Sequence, residues 1–397
     1  MWTTNTPAVE MPQLFERGGD LISFAGGLPD LSRLPLGDLA GQLSRLTRLG
    51  GRTALQYSTP HVARSLLPAI NDLMAREGTT AEADELVPTG GSQLGLTAVA
   101  LGLARPGEAV LCQTPAYPGA LAAFRLAGLT AVGVPADAEG LDPQALRDTV
   151  LGLRAGGTTA RLLYVNPTFS NPTGATLGLD RRAGILRVCR ELDLLMIEDN
   201  PYGLLSFTGE HVTACRALDP DRVVYLGTFS KIFAPGLRCG WIAAPRHLAG
   251  ALRATTEVMS LSPSAFAQAA LAAFYTGRGW DDLLAGYRES YRERAALMTS
   301  ALEHEFGLDG DWNWGTPSGG FYVWLRHRAG ADTGGFAAAA GQRGVSYVPG
   351  RHFSIDGEHA DGLRLCFSYP APAKITEGVA RLAQALSGRR DLAQVAR

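Results

Sequence analysis

Tyr225–Trp241 reads YLGTFSKIFAPGLRCGW. The apolar run Val223–Thr228 leads into Thr228 and Ser230, then Lys231, with Arg238 seven residues further on. Continuous apolar runs of this length read as strands buried on both faces, as in parallel sheets covered by helices. Lys231 then stands just past the carboxyl end of such a strand, where open α/β sheets bind their ligands. An amine partly desolvated there, near a cation, has a lowered pKa and serves as a nucleophile. Arg238, Thr228 and Ser230 suit a phosphate. The competing reading of a lone lysine is a solvated surface charge. Composition argues against it: of 36 basic residues only Lys231 and Lys374 are lysines. Arginine serves on a solvated surface, but it cannot replace an amine that must attack a carbonyl, because guanidinium stays protonated. Lys374 falls near a closing helix, outside every ligand-type motif.

Outward from this stretch, short apolar runs alternate with helical patterns. The strand candidates are Glu85–Pro88, Ala109–Thr114, Ala131–Val134, Leu162–Asn166, Leu194–Asp199, Val223–Thr228 and Gly240–Ala243. Helical stretches include Ser92–Leu103, Tyr117–Leu126, Pro143–Leu151 and Arg181–Leu192. The alternation predicts an α/β fold with a mostly parallel, seven-stranded, doubly wound sheet. A charged amphipathic helix (Asp282–Phe306) follows, then strand-like runs at Gly320–Leu325, Val345–Val348 and Leu363–Ser368, then a helix near Pro372–Leu386. That order predicts a smaller α+β domain. The expected division is an irregular N-terminal segment (1–40) joining the small domain, a large α/β domain (41–280) and the small domain (281–397).

Three further motifs sit at expected strand ends. In TGGSQLGL (Thr89–Leu96) two glycines turn into a helix opened by Ser92 and Gln93. Backbone N–H groups at a helix N-terminus favour a phosphate, although a tight turn capped by serine would look the same. In YVNPTFSNPTG (Tyr164–Gly174) two Asn-Pro steps force irregular backbone, and Asn171 could offer its amide to a ligand. In MIEDNPYG (Met196–Gly203) the adjacent Glu198 and Asp199 must point to opposite faces of the sheet. A carboxylate at a buried strand end is costly unless it meets a cation; otherwise Asp199 would cap a following helix.

Net charge is −2, which gives no electrostatic reason to expect nucleic acid or an anionic membrane as partner. No apolar run is long enough to span a bilayer, and the N-terminus shows no secretory pattern. The five cysteines are dispersed without a CxxC pair and read as reduced thiols of a cytoplasmic protein. The histidines are dispersed too, so no metal set is expected.

Together the SNPTG run, the Asp199/Tyr202 pair, the Ser-Lys step and the PGLR run resemble the class I/II, fold-type I aminotransferases that use pyridoxal phosphate (PLP). SFAGGLPD (Ser23–Asp30), LQYS (Leu55–Ser58), PAYPGA (Pro115–Ala120), GTFSK (Gly227–Lys231) and GLRLCFS (Gly362–Ser368) turn the likeness toward the aminoadipate/kynurenine aminotransferase branch. The resemblance implies transfer of the α-amino group of an L-amino acid to a 2-oxo acid. It implies that Lys231 forms the Schiff base and shuttles a proton, and that Asp199 pairs with the pyridinium nitrogen. It places Asn171 and Tyr202 on the ring hydroxyl oxygen and Tyr117 on the ring face. Ser92, Gln93, Thr228, Ser230 and Arg238 would hold the phosphate. Tyr57 would reach the phosphate from a neighbouring subunit, so a homodimer is implied. Arg364, with Gly27 and Asn171 beside it, would take the substrate α-carboxylate, which Arg suits better than Lys.

Two positions depart from the branch. Ser170 stands where glutamine usually precedes NPTG, and Glu10 stands thirteen residues ahead of Ser23, where acidic-substrate enzymes carry an arginine. Arg17 is the nearest alternative. An acidic side chain is therefore not expected to be read in the usual way. The same cofactor residues would serve a C–S lyase or a decarboxylating or oxidative enzyme of natural-product synthesis, because alignment of the breaking bond at Cα decides the reaction. A ligand-sensing regulator domain on this fold would be preceded by a winged-helix segment, for which the residues ahead of Ser23 are too few.

Overall fold

The computed structural model describes residues 20–58, 64–137 and 139–387. Glu10 and Arg17 lie outside them. The central sheet runs, edge to edge, Leu86–Thr89, Gly240–Ala243, Val223–Thr228, Leu195–Asp199, Ala160–Val165, Ala109–Gln113 and Thr130–Val134. Gly240–Ala243 is antiparallel to both its neighbours, whereas the pairs from Val223–Thr228 out to Thr130–Val134 are parallel. The connection from Thr228 to Gly240 holds only a short 3-10 turn (Pro235–Leu237) and no crossover helix, so the chain returns antiparallel.

Side chains alternate across the sheet as a period of two requires. Val110, Cys112, Leu162, Tyr164, Ile197 and Val224 pack under the helices Ser92–Leu103, Pro118–Leu126 and Arg246–Ser260. Ala109, Leu111, Leu163, Val165, Met196 and Val223 pack against Pro143–Ala155 and Leu179–Glu191 on the other face. With both faces covered, the carboxyl ends of the strands are the open edge, and Thr89, Asp199 and Thr228 all end there.

A four-stranded antiparallel sheet follows, in the order Trp312–Trp314, Tyr322–His327, Gly362–Cys366, Val348–Pro349. The helices Asp281–Phe306 and Pro372–Ser387 pack together beside it. The structure corrects three expectations. The single strand expected at Val345–Val348 is two short ones, broken at Tyr347. The first of them, Val345–Ser346, pairs in parallel with Ile22–Ser23, so the N-terminal segment is not wholly irregular. A helix already begins within it, at Leu36, and runs to Ala54. Among the described residues no helix is long and apolar enough to cross a membrane.

Candidate active site

A cavity of about 550 Å³ opens at the carboxyl ends of the central strands. Its lining brings together Gly27, Ser92, Gln93, Tyr117, Asn171, Asp199, Tyr202, Thr228, Ser230, Lys231, Arg238 and Arg364. Tyr57 is the exception: it is 68% exposed and takes no part in the cavity of its own chain. Ser170 is buried and engaged through its backbone with Gly174 and Ala175, and it does not line the cavity.

One end of the cavity is a cradle of donors. Gly91, with φ of +98°, turns the strand Leu86–Thr89 into the helix beginning at Ser92. Ser92 is thus the first helical residue, as expected, and the cap position of the competing serine-cap reading is held by Gly91. The amides of the first helical turn have no acceptor within the helix. A Cβ on Gly91 would come within 2.6 Å of the Arg238 guanidinium, so glycine lets that cation close over the turn. Arg238 has a left-handed backbone, φ +50°, unusual for a residue with a side chain. Its Nη2 donates to the Gly90 carbonyl at 3.1 Å, and its Nη1 lies 3.5 Å from Ser230 Oγ. Thr228 Oγ1 donates to Ser230 Oγ at 2.9 Å, and the Ser230 N–H donates back to Thr228 Oγ1. Gln93 spends its side-chain N–H on the Gly119 carbonyl, leaving Oε1 buried and without a hydrogen-bond donor among the described residues.

The middle is built on Asp199 and Lys231. Asp199 accepts a 2.7 Å hydrogen bond from Tyr164, and Asn166 donates to its backbone carbonyl. Burial pushes the Asp199 carboxyl up to about 6, against the pull of Tyr164 and Lys231. It begins no helix: the chain turns through Asn200–Gly203, so the capping alternative fails. Behind this turn the buried Glu77 accepts from Asn200 and from Tyr225, at 2.7 and 2.8 Å, and fixes the turn that carries both Asp199 and Tyr202. Glu198 points to the opposite face, as the pleat demands, and accepts from the Cys215 and Arg216 amides. Lys231 Nζ donates to the Gly27 carbonyl at 2.7 Å. Loss of water around the amine lowers its pKa to about 8, with the Arg364 and Arg238 charges helping and Cys366 and Asp199 opposing. Lys374 differs in every respect: it is exposed, paired with Glu377 and Asp20, and its pKa is raised by the Glu377 contact.

At the far end Arg364 is 3% exposed. It donates from Nη1 to Asn171 Oδ1 at 2.7 Å and from Nη2 to the Ala25 carbonyl at 2.5 Å, while its Nε is buried without an acceptor among the described residues. A buried cation so incompletely matched suits an anionic ligand. Tyr322, Tyr164 and Asn166 complete the assembly and were not singled out from the sequence. Asn166 lines the cavity directly, and the YVN run held a signal for it and for Tyr164, since both lie at the end of the strand beside that of Asp199. Tyr322 comes from the other sheet, and nothing in its sequence neighbourhood marks it.

These donors fit PLP. The cradle suits a phosphate, the buried Asp199 suits a protonated ring nitrogen, and the desolvated amine of Lys231 suits an aldehyde carbon. Comparison with known proteins agrees. Residues 23–382 match the family of class I and II aminotransferases. The chain is 35% identical to aromatic-amino-acid aminotransferase 1 of Thermococcus litoralis, over 92% of this chain and 88% of that one. It is 33% identical to 2-aminoadipate transaminase of Thermus thermophilus, over 96% and 93%. The crystal structure of Pyrococcus horikoshii kynurenine aminotransferase, solved with PMP, superposes with a TM-score of 0.87 at 31% identity, covering 94% of this chain and 92% of that one. The molecule is thus a PLP-dependent transferase of fold type I. The chain belongs to the class I and II aminotransferases, and the reaction this supports is amino-group transfer between an amino acid and a 2-oxo acid, not elimination.

Proposed function

We propose that Lys231 holds the cofactor covalently and moves the proton of the substrate Cα, and that the substrate is an L-amino acid with an uncharged side chain. The observation that carries the first part is the Lys231 amine itself: desolvated, with a pKa near 8, in the same cavity as Asp199. Bound there, PLP supplies an electron sink for the pair left at Cα when its C–H bond breaks.

The chain's own residues supply the rest. Asp199 holds a proton on the ring nitrogen. Tyr202 and Asn171 hydrogen-bond the ring hydroxyl oxygen, and Tyr117 covers the ring face. Ser92, Thr228, Ser230 and Arg238 hold the phosphate, with Gln93 contributing its backbone N–H because its side chain is engaged with Gly119. Tyr57, exposed in this chain, reaches the phosphate of a second copy, which makes the working unit a homodimer. Arg364 fixes the substrate carboxylate and so aims the Cα–H at Lys231. The amine, neutral above about pH 8, accepts that proton and would deliver it to the former aldehyde carbon of the cofactor, two bonds away across the nitrogen. Five free, buried cysteines support a cytoplasmic setting.

The uncharged side chain rests on the lining. Its ionisable charges are Asp199, Lys231, Arg238 and Arg364, and each already has a role. A substrate side-chain carboxylate would lose its water without gaining a cation from the described residues. The aromatic-amino-acid enzyme among the relatives is consistent with this.

The test mixes the PLP-loaded enzyme with single amino acids and S-conjugated cysteines, without any keto acid. One stoichiometric conversion to the aminated cofactor is expected, fastest with aromatic or large aliphatic amino acids and about 100-fold slower with glutamate. Sustained release of pyruvate and thiol would reject transamination, and equal rates with glutamate would reject the substrate class. Arg364→Ala is expected to raise KM for every amino acid about 100-fold, because a buried carboxylate loses its partner. An unchanged KM would remove Arg364 from the carboxylate site.

A further inference from the structure

Tyr322 lines the cavity, yet nothing above uses its hydroxyl. The residue is 2% exposed and sits at the start of the strand Tyr322–His327. Three groups of the site meet on it. The Arg364 guanidinium carbon is 4.4 Å from its ring centroid. The Tyr202 ring stands edge-on at 5.6 Å, with the two hydroxyl oxygens 2.9 Å apart. Gly27, whose carbonyl accepts from Lys231, lies so close that a Cβ there would come within 2.2 Å of the Tyr322 hydroxyl.

Phenylalanine would fill the same volume and keep the stacking on Arg364. The hydroxyl therefore needs its own explanation, since a buried hydroxyl costs stability unless it is hydrogen-bonded. Its one hydrogen bond among the described residues is to Tyr202. Each phenol carries a single proton. When the Tyr202 proton points at the cofactor's ring oxygen, the Tyr202 oxygen is free to accept, and Tyr322 becomes the donor. Chained hydrogen bonds polarise one another, so a donor behind Tyr202 makes Tyr202 a stronger donor in front.

We propose that Tyr322 is a positioning residue whose hydroxyl donates to Tyr202 and so commits the Tyr202 proton to the ring oxygen of the cofactor. No bond breaks and no proton changes owner; the tyrosine fixes a direction. The proposal rests on the cofactor reading above.

The test is Tyr322→Phe in the PLP-loaded enzyme, read by titrating the cofactor's visible absorbance against pH. With Tyr202 a weaker donor, more negative charge stays on the ring oxygen, and the chromophore keeps its neighbouring proton to higher pH. The midpoint is expected to rise by a few tenths of a pH unit, since polarisation along a chain strengthens each hydrogen bond only fractionally. KM for the amino acid should stay within about twofold, because the stacking on Arg364 survives. In a Tyr202→Phe background, which raises the midpoint further on its own, Tyr322→Phe should add nothing. No shift, a downward shift, or the same shift in both backgrounds would overturn the proposal. If the wild-type enzyme shows no lysine-dependent visible band, the cofactor reading fails instead. Melting temperature and bound phosphate, measured on each variant, separate these outcomes from misfolding.

Discussion

Lys231→Ala is expected to lose the visible band of the lysine-linked cofactor and about 10⁴-fold in activity, the upper range for removing a positioned proton-transfer group. Lys231→Arg should fare no better, because guanidinium neither attacks a carbonyl nor releases a proton at any working pH. The cradle of Ser92, Thr228, Ser230 and Arg238 is untouched in both variants, so phosphate-dependent binding should persist while the covalent link does not. The wild-type protein carries a pH signature that the variants lack. Lys231 is protonated below about pH 8 and neutral above it, so capture of PLP by the cofactor-free protein should accelerate as pH rises to about 8 and then level off. A variant with an unchanged cofactor spectrum, or a capture rate that ignores pH, would remove Lys231 from its role.

Asp199→Asn is expected to cost about 10³-fold in kcat, in the range seen when one preorganised electrostatic partner is removed. The amide oxygen can still accept from Tyr164, so the local geometry should hold. What is lost is the negative charge that keeps a proton on the ring nitrogen. KM for the amino acid should change little, since Arg364 and Asn171 are untouched, and the cofactor should still bind through its phosphate. Loss concentrated in kcat is the signature of an interaction made chiefly in the transition state. A variant that instead fails only in KM would place Asp199 among the substrate contacts.

Much of the central sheet can be read from the chain because its strands are buried on both faces. Val223–Thr228 and Gly240–Ala243 lie where the apolar runs put them, and Ser92–Leu103 runs over the expected span. Lys231, just beyond Val223–Thr228, and Asp199, the last residue of Leu195–Asp199, are polar groups that a buried strand end tolerates poorly without a partner, which makes them legible. Arg364 is legible only through the family resemblance. Tyr322 is not legible, because an aromatic residue in a strand is ordinarily core, and its role depends on packing against Tyr202 from a different sheet. The pairing of Ile22–Ser23 with Val345–Ser346 spans most of the chain, and two-residue strands carry no periodicity. Tyr57 is a separate case: it is exposed in its own chain, and the role proposed for it would need a second copy.

The scarcity of lysine makes the cofactor's point of attachment directly measurable. Reducing the PLP-loaded enzyme with borohydride fixes the cofactor to whichever amine holds it, and peptide mapping by mass spectrometry then locates the added mass. All of it is expected on the peptide bearing Lys231. Label on Lys374, or no label at all in an enzyme that still transaminates, would contradict it.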